Sequence, residues 1–289
     1  MLMLSSLSTD EANMSVAVSC NLSDGVVLGV DSAVTVPGPG GIVKVYENAE
    51  KLFQLGDRPI GVAFYGIGVL GTRTLGSFLR EFEKHSRHGE LLRRESSLEE
   101  VVESLRSFFA EVYQSVFVKE FEKTGEKFDS IPLSQRPAFG LVVGGFSYGA
   151  FLSEVWNIII PHHDIKDKLI KSRPQGEFGT NWFAMYEPIR RYIKGFDPQL
   201  MGEVEKFFIS MLGRPLSQDE RKKFEEILNK HEFQIPFPAM PIEEGVNHTR
   251  FLVELVINHH RYAVGAPVVG GKAKIGKVTY KSGSFEIMD

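Results

Sequence analysis

The sequence predicts an α/β (α+β) protein in which two antiparallel sheets stack face to face between outer helices, a four-layer α/β/β/α sandwich with a helical insertion. Two observations predict this fold. The first seventy residues alternate short apolar runs with turn residues, which is typical of antiparallel hairpins. Helical periodicity then appears, and the segments follow in the order strands, two helices, strands, helices, strand. Two sheets covered by helices is one of the few layered arrangements that this order permits.

The N-terminal strands are predicted from alternation and turn chemistry. Val16, Val18 and Cys20 fall on one face of the first segment, which indicates a strand buried on one side. Gly56 and Asp57 separate the last two strands of this region. The predicted strands are residues 15–22, 26–34, 48–55 and 58–66, with a turn at 23–25 and a Gly/Pro loop at 36–41.

The remaining elements follow from helical spacing and capping signals. Ser97 and Glu100 form a capping box that opens a long helix, and Ser217 with Glu220 forms another. The predicted helices are 72–86, 97–117, 198–212, 217–231 and 246–263, and the later strands are 138–146, 149–161 and 272–280. We expect residues 1–14 to be a leader or a mis-assigned start. Residues 15–289 are then a single domain with a mainly helical insertion at about 164–245.

Composition excludes several classes of protein. The net charge of −4 and the absence of long like-charge runs argue against nucleic acid and polybasic membrane contacts as partners. The single cysteine, Cys20, excludes an internal disulfide framework and favours a reducing compartment. No apolar run has the length of a membrane span, and the N-terminus lacks a basic region before its apolar residues. A cytoplasmic location is therefore expected.

Several stretches resemble proteasome β subunits and their bacterial relatives, including the ancestral-beta-subunit group. The stretches are SDGVVLGVDSAVT, NAEKLFQL, IGVAFYGIG and FGLVVGGFSYGAFLSEV, in the family's order and approximate spacing. The C-terminal INHHRYAVGAPVVGGKAKIGKV is similar to the family's last helix and strand. Together the resemblance covers roughly 15–160 and 246–280. It implies an N-terminal-nucleophile hydrolase that cuts peptides, needs no cofactor or metal, and assembles into homo-oligomeric rings or spirals; whether an ATPase partner feeds it stays open.

The resemblance also implies which residues react. The family's nucleophile lies sixteen residues before an acidic residue that matches Asp31, which places Ser15 at the nucleophile position. The family's catalytic lysine matches Lys51, after about four extra loop residues. The glycine whose N–H lines the oxyanion hole matches Gly66 or, alternatively, Gly68.

These residue types suit one chemistry. A hydroxyl on a residue with a free α-amine has its own general base, because the pKa of such an amine is near about 7.7–8. The ammonium of Lys51 lowers the pKa of that amine, and Asp31 balances the charge of the lysine. Met14 precedes Ser15, and a Met-Ser start is readily trimmed to leave an N-terminal serine. If the preceding residues stay attached, the nitrogen of Ser15 is an amide and the base is lost.

Two departures from the family pattern favour an alternative. Active members carry a serine–glycine pair after the mid-chain hairpin, where this chain has Gly179, Thr180 and Asn181, so Thr180 is the candidate for the serine's role. They also carry an acidic residue near the end of the last helix, whereas residues 261–265 contain no carboxylate. The alternative is a catalytically inactive scaffold or assembly subunit of the same fold.

Three other motifs have simpler interpretations. Residues 66–71 match the dinucleotide pattern GxGxxG, but no second parallel strand with an acidic end follows. The pairs at 162–163 and 259–260 are adjacent histidines without the Cys or carboxylate partners of a tetrahedral metal site. Cys20 lies on an apolar strand face, which indicates a buried structural thiol.

Overall fold

The computed structural model describes residues 15–38, 41–85, 90, 92, 95–123, 125, 127–132, 136–161, 169–196, 198–264 and 268–288. The leader predicted at 1–14 lies outside these residues. The described chain separates into two compact units. The first contains the described residues up to Met185 and from Phe237 onward, and the second is Tyr186–Pro236.

The first unit contains two five-stranded antiparallel sheets. Sheet one has the strand order β12-β1-β2-β13-β14, and sheet two has the order β11-β10-β9-β6-β5. The strands of sheet one are β1 (Val16–Leu22), β2 (Gly25–Val30), β12 (Gly179–Ala184), β13 (Lys274–Thr279) and β14 (Glu286–Met288). The strands of sheet two are β5 (Leu52–Gln54), β6 (Ile60–Gly66), β9 (Phe139–Gly145), β10 (Glu154–Ile160) and β11 (Ile170–Arg173). Two small hairpins complete the strands, β3 (Val34–Gly38) with β4 (Gly41–Tyr46) and β7 (Val69–Leu70) with β8 (Arg73–Thr74).

Helices cover the outer face of each sheet, so the predicted four-layer α/β/β/α sandwich is confirmed. α1 (Leu75–Lys84) and α2 (Leu98–Val112) pack on sheet two. α2 continues through a π-helical segment (Tyr113–Val118) into one further turn (Lys119–Glu122). α6 (Ile242–Tyr262) packs on β1, β2 and β13 of sheet one. No helix among the described residues is long and apolar enough to cross a membrane.

Two apolar cores hold these layers together. The core between the sheets joins side chains of sheet one, such as Ala17 and Leu28, to side chains of sheet two, such as Ala63 and Val142. The larger core lies between sheet two and helices α1 and α2, and it is rich in phenylalanine. Burial on both sides of each sheet is what allows the central strands to be almost entirely apolar.

The second unit is helical. Its helices are α3 (Glu187–Lys194), α4 (Pro198–Leu212) and α5 (Gln218–Asn229). The predicted capping box at Ser217 and Glu220 is present, with the Glu220 N–H 3.3 Å from the serine Oγ and the Ser217 N–H 2.8 Å from the glutamate. α4 packs on α5 through Phe208 and Phe224, whose ring centroids are 5.9 Å apart. The helical character predicted for this part of the chain is confirmed.

The strands differ from the sequence predictions at three places. β1 is buried on both faces, not one, because sheet two covers the face opposite α6. The strand predicted over 26–34 divides into β2 and β3, since Asp31 Oδ2 accepts the N–H of Ala33 and turns the chain. The Gly/Pro stretch predicted as a loop contributes to the β3–β4 hairpin.

Four further elements differ from the sequence predictions. β11 and β12 fall within the segment predicted to be mainly helical, because their edge positions leave much of their surface exposed and their alternation weak. β14 was not predicted. The helix predicted from residue 72 begins at Leu75, since β7 and β8 precede it and Thr74 caps it. Residues 66–71 therefore end a strand and enter a hairpin, and they do not open a helix.

Cys20 is expected to be unreactive in the native protein. The thiol is fully buried between β1 and α6, and this burial raises its pKa to about 11. At pH 8 almost no thiolate exists, and a thiol reagent should label the folded chain negligibly but one thiol per chain in urea. Rapid labelling of the folded chain would contradict this burial.

Candidate active site

Three of the residues singled out in the sequence meet in one buried cluster at the end of the two sheets. Ser15 immediately precedes β1, and Asp31 immediately follows the neighbouring strand β2. The pairing of Ala17 with Val30 brings these two chain positions side by side. The Ser15 hydroxyl donates to Asp31 Oδ1 at 2.6 Å, and both side chains are completely buried.

Lys51 reaches this pair from sheet two. It immediately precedes β5, and its carbonyl accepts the N–H of Phe64 on β6, which fixes the backbone at the edge of the sheet. Its ammonium lies 2.9 Å from Asp31 Oδ1 and 3.0 Å from Ser15 Oγ. Lys51 is only 5% exposed, so the ion pair and the hydroxyl are withdrawn from bulk water. Their mutual attraction is correspondingly less screened than that of a surface pair.

Backbone N–H groups fix the Asp31 carboxylate from three directions. Oδ1 accepts the N–H of Val16 at 3.1 Å, in addition to the serine and lysine contacts. Oδ2 accepts the N–H of Ala33 at 3.2 Å and that of Gly270 at 3.4 Å. Because these three backbone donors come from different segments of the chain, the carboxylate can hardly rotate without breaking several hydrogen bonds.

Ser32 links the segments around the carboxylate. Its hydroxyl donates to the carbonyl of Glu47, in the stretch that leads to Lys51, and accepts the N–H of Lys272 at 2.8 Å. Its own carbonyl accepts the N–H of Ala49 at 2.8 Å. One serine thus fastens both the segment that carries the lysine and the segment that supplies the Gly270 N–H.

Gly66, the predicted oxyanion donor, belongs to sheet two, the sheet whose edge Lys51 adjoins. It ends β6 two residues after Phe64, the residue bonded to Lys51, which is about 7 Å along a strand. Its φ is +83°, and a Cβ added there would lie 2.5 Å from the carbonyl oxygen of Ala138, so only glycine fits. Gly68, the alternative, lies beside Val34 in the wall of the cleft described below.

Thr180 does not join the cluster. It lies on β12 opposite Cys20, five residues along β1 from Ser15, whereas Ala184 pairs with Val16 at the end where the cluster lies. Its side chain lies beside Cys20, on the face of sheet one that α6 covers, and its buried hydroxyl has no hydrogen-bond partner among the described residues. We therefore leave Thr180 out of the proposed machinery.

A cleft of about 840 Å³ opens beside the cluster, and Lys51 is one of its lining residues. Phe53 of β5 and Phe64 of β6 line the cleft, and α1 forms one of its walls. Val34, the first residue of β3, also lines it. Lys51 thus belongs to both features, because its ammonium contacts Ser15 Oγ and the residue lines the cleft.

The 270–272 segment is expected to tolerate no side chain at Gly271. This glycine has φ +72°, and a Cβ would lie 2.4 Å from both Glu47 O and Ser32 Oγ. Gly283 is the matched control, since its φ is +65° and nothing lies within 4 Å of its Cβ position. We expect Gly283→Ala to cost about 1 kcal/mol of unfolding free energy and Gly271→Ala at least about 1 kcal/mol more. Equal losses in urea unfolding would show that this packing does not exist.

Of the two histidine pairs singled out in the sequence, the structure describes one. His162 and His163 lie outside the described residues. His259 and His260 are consecutive on α6, with ring centroids 5.5 Å apart and ring planes at 88°. Within the described ranges, no group of three or more His, Cys, Asp or Glu side chains is arranged to hold a metal ion.

Sequence reasoning missed three features of the site. Gly270 lies beyond residues 261–265, where an acidic residue was sought, and it supplies a backbone N–H instead of a carboxylate. The adjacent glycines 270 and 271 were a signal for close backbone approach. Ser32 follows Asp31 directly, but the two partners of its hydroxyl are distant in sequence. The α1 wall of the cleft was also missed, because α1 is distant in sequence from Ser15 and Asp31.

Comparison with known proteins identifies no family by sequence. No protein-family model matches the chain, and no curated protein matches it. Among solved structures, the chain is similar to Anbu (ancestral beta-subunit) from Yersinia bercovieri. The alignment covers 95% of this chain and 87% of that chain at 14% sequence identity, with a TM-score of 0.49. The proposal below therefore rests on the geometry of the buried cluster.

Proposed function

We propose that this chain is an N-terminal-nucleophile hydrolase of the proteasome β-subunit type, which cuts peptide or amide bonds with the Ser15 hydroxyl. One observation carries the proposal: Ser15 Oγ, Asp31 and Lys51 form a buried hydrogen-bonded cluster immediately before β1. A buried lysine between a hydroxyl and a carboxylate is costly to assemble because both charges must be removed from water, and such an arrangement favours a functional role over a purely structural one.

The chemistry needs a free amine on Ser15. The hydroxyl donates to Asp31 in the described structure, so its hydrogen must turn toward the α-amine before attack. Ser15 Oγ then bonds to the substrate carbonyl carbon while the amine takes the proton. Lys51, 3.0 Å from Oγ, stabilises the negative charge that develops on that oxygen as the proton leaves.

The remaining steps use the same groups. The Gly66 N–H is assigned to the carbonyl oxygen as that oxygen becomes negative. Collapse of the tetrahedral intermediate breaks the C–N bond, and the Ser15 ammonium returns its proton to the leaving nitrogen. Water then attacks the ester on Oγ, the α-amine accepts a proton from it, and acid is released with the serine restored.

A second candidate is a catalytically inactive subunit that keeps the scaffold for assembly. Two observations at Asp31 favour it. Asp31 already accepts the hydrogen of the Ser15 hydroxyl. Among the described residues after α6, Gly270 reaches Asp31 with a backbone N–H and not with a carboxylate. In either case we propose that the chain assembles with further copies of itself into a ring or spiral, with peptides or proteins as substrates of the active form.

Labelling with a hydroxyl-directed electrophilic peptide inhibitor separates the two candidates. We expect one adduct per chain, mapped by peptide mass spectrometry to Ser15, and none in Ser15→Ala. An intact, folded assembly that takes up no label at Ser15 would favour the inactive scaffold. A label elsewhere that survives the substitution would reject Ser15 as the nucleophile.

A further inference from the structure

The floor of the cleft beside Lys51 is apolar and aromatic. Phe53 and Phe64 lie edge to face, with ring centroids 5.7 Å apart, and Leu75 at the start of α1 adds an aliphatic surface. Gly76 allows α1 to approach closely, since a Cβ there would lie 2.5 Å from the Phe53 ring. A cleft of about 840 Å³ with such a floor accommodates a bulky apolar side chain.

Two exposed basic side chains lie on the wall of this cleft that α1 forms. Arg80 and Lys84 are one helical turn apart, and both line the cleft. Neither has a hydrogen bond or ion pair to any described residue. Like charges at this spacing repel each other, so the arrangement weakens α1 slightly unless an anion binds. Lys84 also lies in the last turn of the helix, where a cation is favourable, but Arg80 does not.

The other charges of the cleft do not neutralise this wall. Arg73 is already paired within the protein: its guanidinium forms an ion pair with Glu81 at 2.6 Å and donates to Ser77 Oγ. Glu81 is therefore held by Arg73. Glu50 also lines the cleft, but it belongs to the segment before β5 and not to α1. Two positive charges on α1 thus have no partner among the described residues, and they lie at the edge of an apolar floor.

We infer that this cleft selects peptides in which a bulky apolar residue is flanked by an acidic residue. The apolar side chain contacts Phe53, Phe64 and Leu75, and the carboxylate binds Arg80 and Lys84. The inference rests on the proposed function, whose substrate class it names. The carboxylate interaction is exposed to water, so it provides discrimination and faster association more than tight binding.

Binding to a chain that cannot turn over tests the inference. Ser15→Ala is titrated by calorimetry with two end-blocked peptides, Ala-Glu-Leu-Glu-Ala and Ala-Gln-Leu-Gln-Ala. We expect the acidic peptide to bind about three- to tenfold more tightly at low salt. That ratio should fall toward one when Arg80→Gln and Lys84→Gln are added, and also at high salt. The control pair Lys127→Gln and Lys281→Gln removes the same charge from exposed positions outside the cleft and should keep the ratio.

The outcomes separate this inference from the proposed function. Equal binding of the two peptides, no binding of either, or a ratio that survives loss of Arg80 and Lys84 would overturn the inference. Cleavage by the unsubstituted chain is measured in parallel. Selective binding without Ser15-dependent cleavage would reject the proposed function and leave the cleft assignment in place. Cleavage without acidic selectivity would reject the cleft assignment alone.

Discussion

Ser15→Ala is expected to lower peptide hydrolysis by at least about 10³-fold while leaving the chain folded. The substitution removes the attacking oxygen, and no second group in the cluster can replace it, since Asp31 and Lys51 remain ion-paired. The loss should appear in kcat and not in KM, because the cleft that binds the substrate is unchanged. Single-turnover hydrolysis of a fluorogenic peptide amide measures it.

Ser19→Ala is the matched control for this prediction. Ser19 lies on β1, the strand that Ser15 immediately precedes, and it is completely buried. Its hydroxyl has no hydrogen-bond partner among the described residues. Removing it should leave hydrolysis unchanged and cost little or no stability, since an unpaired buried hydroxyl is itself unfavourable. If Ser19→Ala abolished hydrolysis as completely as Ser15→Ala, the effect would reflect damage to β1 and not loss of a nucleophile.

Asp31→Asn is expected to cause the largest loss of stability, about 3–5 kcal/mol of unfolding free energy. The substitution leaves the buried Lys51 ammonium without its counter-charge, because an amide oxygen in place of the carboxylate accepts a hydrogen bond but carries no negative charge. Lys51→Met should cost less, because the carboxylate keeps the serine and three backbone N–H donors, those of Val16, Ala33 and Gly270. Urea unfolding monitored by circular dichroism measures both.

A double-substitution cycle tests whether the two residues act as a pair. Asp31→Asn combined with Lys51→Met removes both buried charges, so the double variant should be more stable than the sum of the single losses indicates. Strictly additive losses would mean that the two side chains do not interact, in contradiction to the 2.9 Å contact. Hydrolysis should be lost in all three variants, which separates the stability result from the activity result.

Most of the fold could be predicted because its signals are local. The capping boxes at Ser97 and Ser217 were read directly from four-residue windows and are present. The central strands were found because apolar runs bounded by turn residues predict buried antiparallel strands. β11 and β12 were missed for the opposite reason: at the sheet edges their apolar alternation fades, and pairing to β10 and β1, which lie earlier in the chain, decides their conformation.

Part of the candidate site could likewise be predicted from the sequence, and part could not. Ser15, Asp31 and Lys51 follow from spacing in a family resemblance, and the structure brings these three side chains together. Gly270 and Ser32 act through contacts between segments that are remote in sequence, and no local pattern identifies their partners. Sequence spacing did not predict where the Thr180 side chain lies. Its position in β12 fixes the face on which it points, and that face of sheet one is the one opposite the cluster.

The N-terminus of the protein purified from its native host is the most direct test of the central claim. Intact mass and N-terminal sequencing should find a chain that begins at Ser15, since only then does this residue carry the amine that acts as base. A chain that keeps Met14 ahead of Ser15 would contradict the N-terminal-nucleophile mechanism, because the nitrogen would be an amide, and the scaffold alternative would take its place.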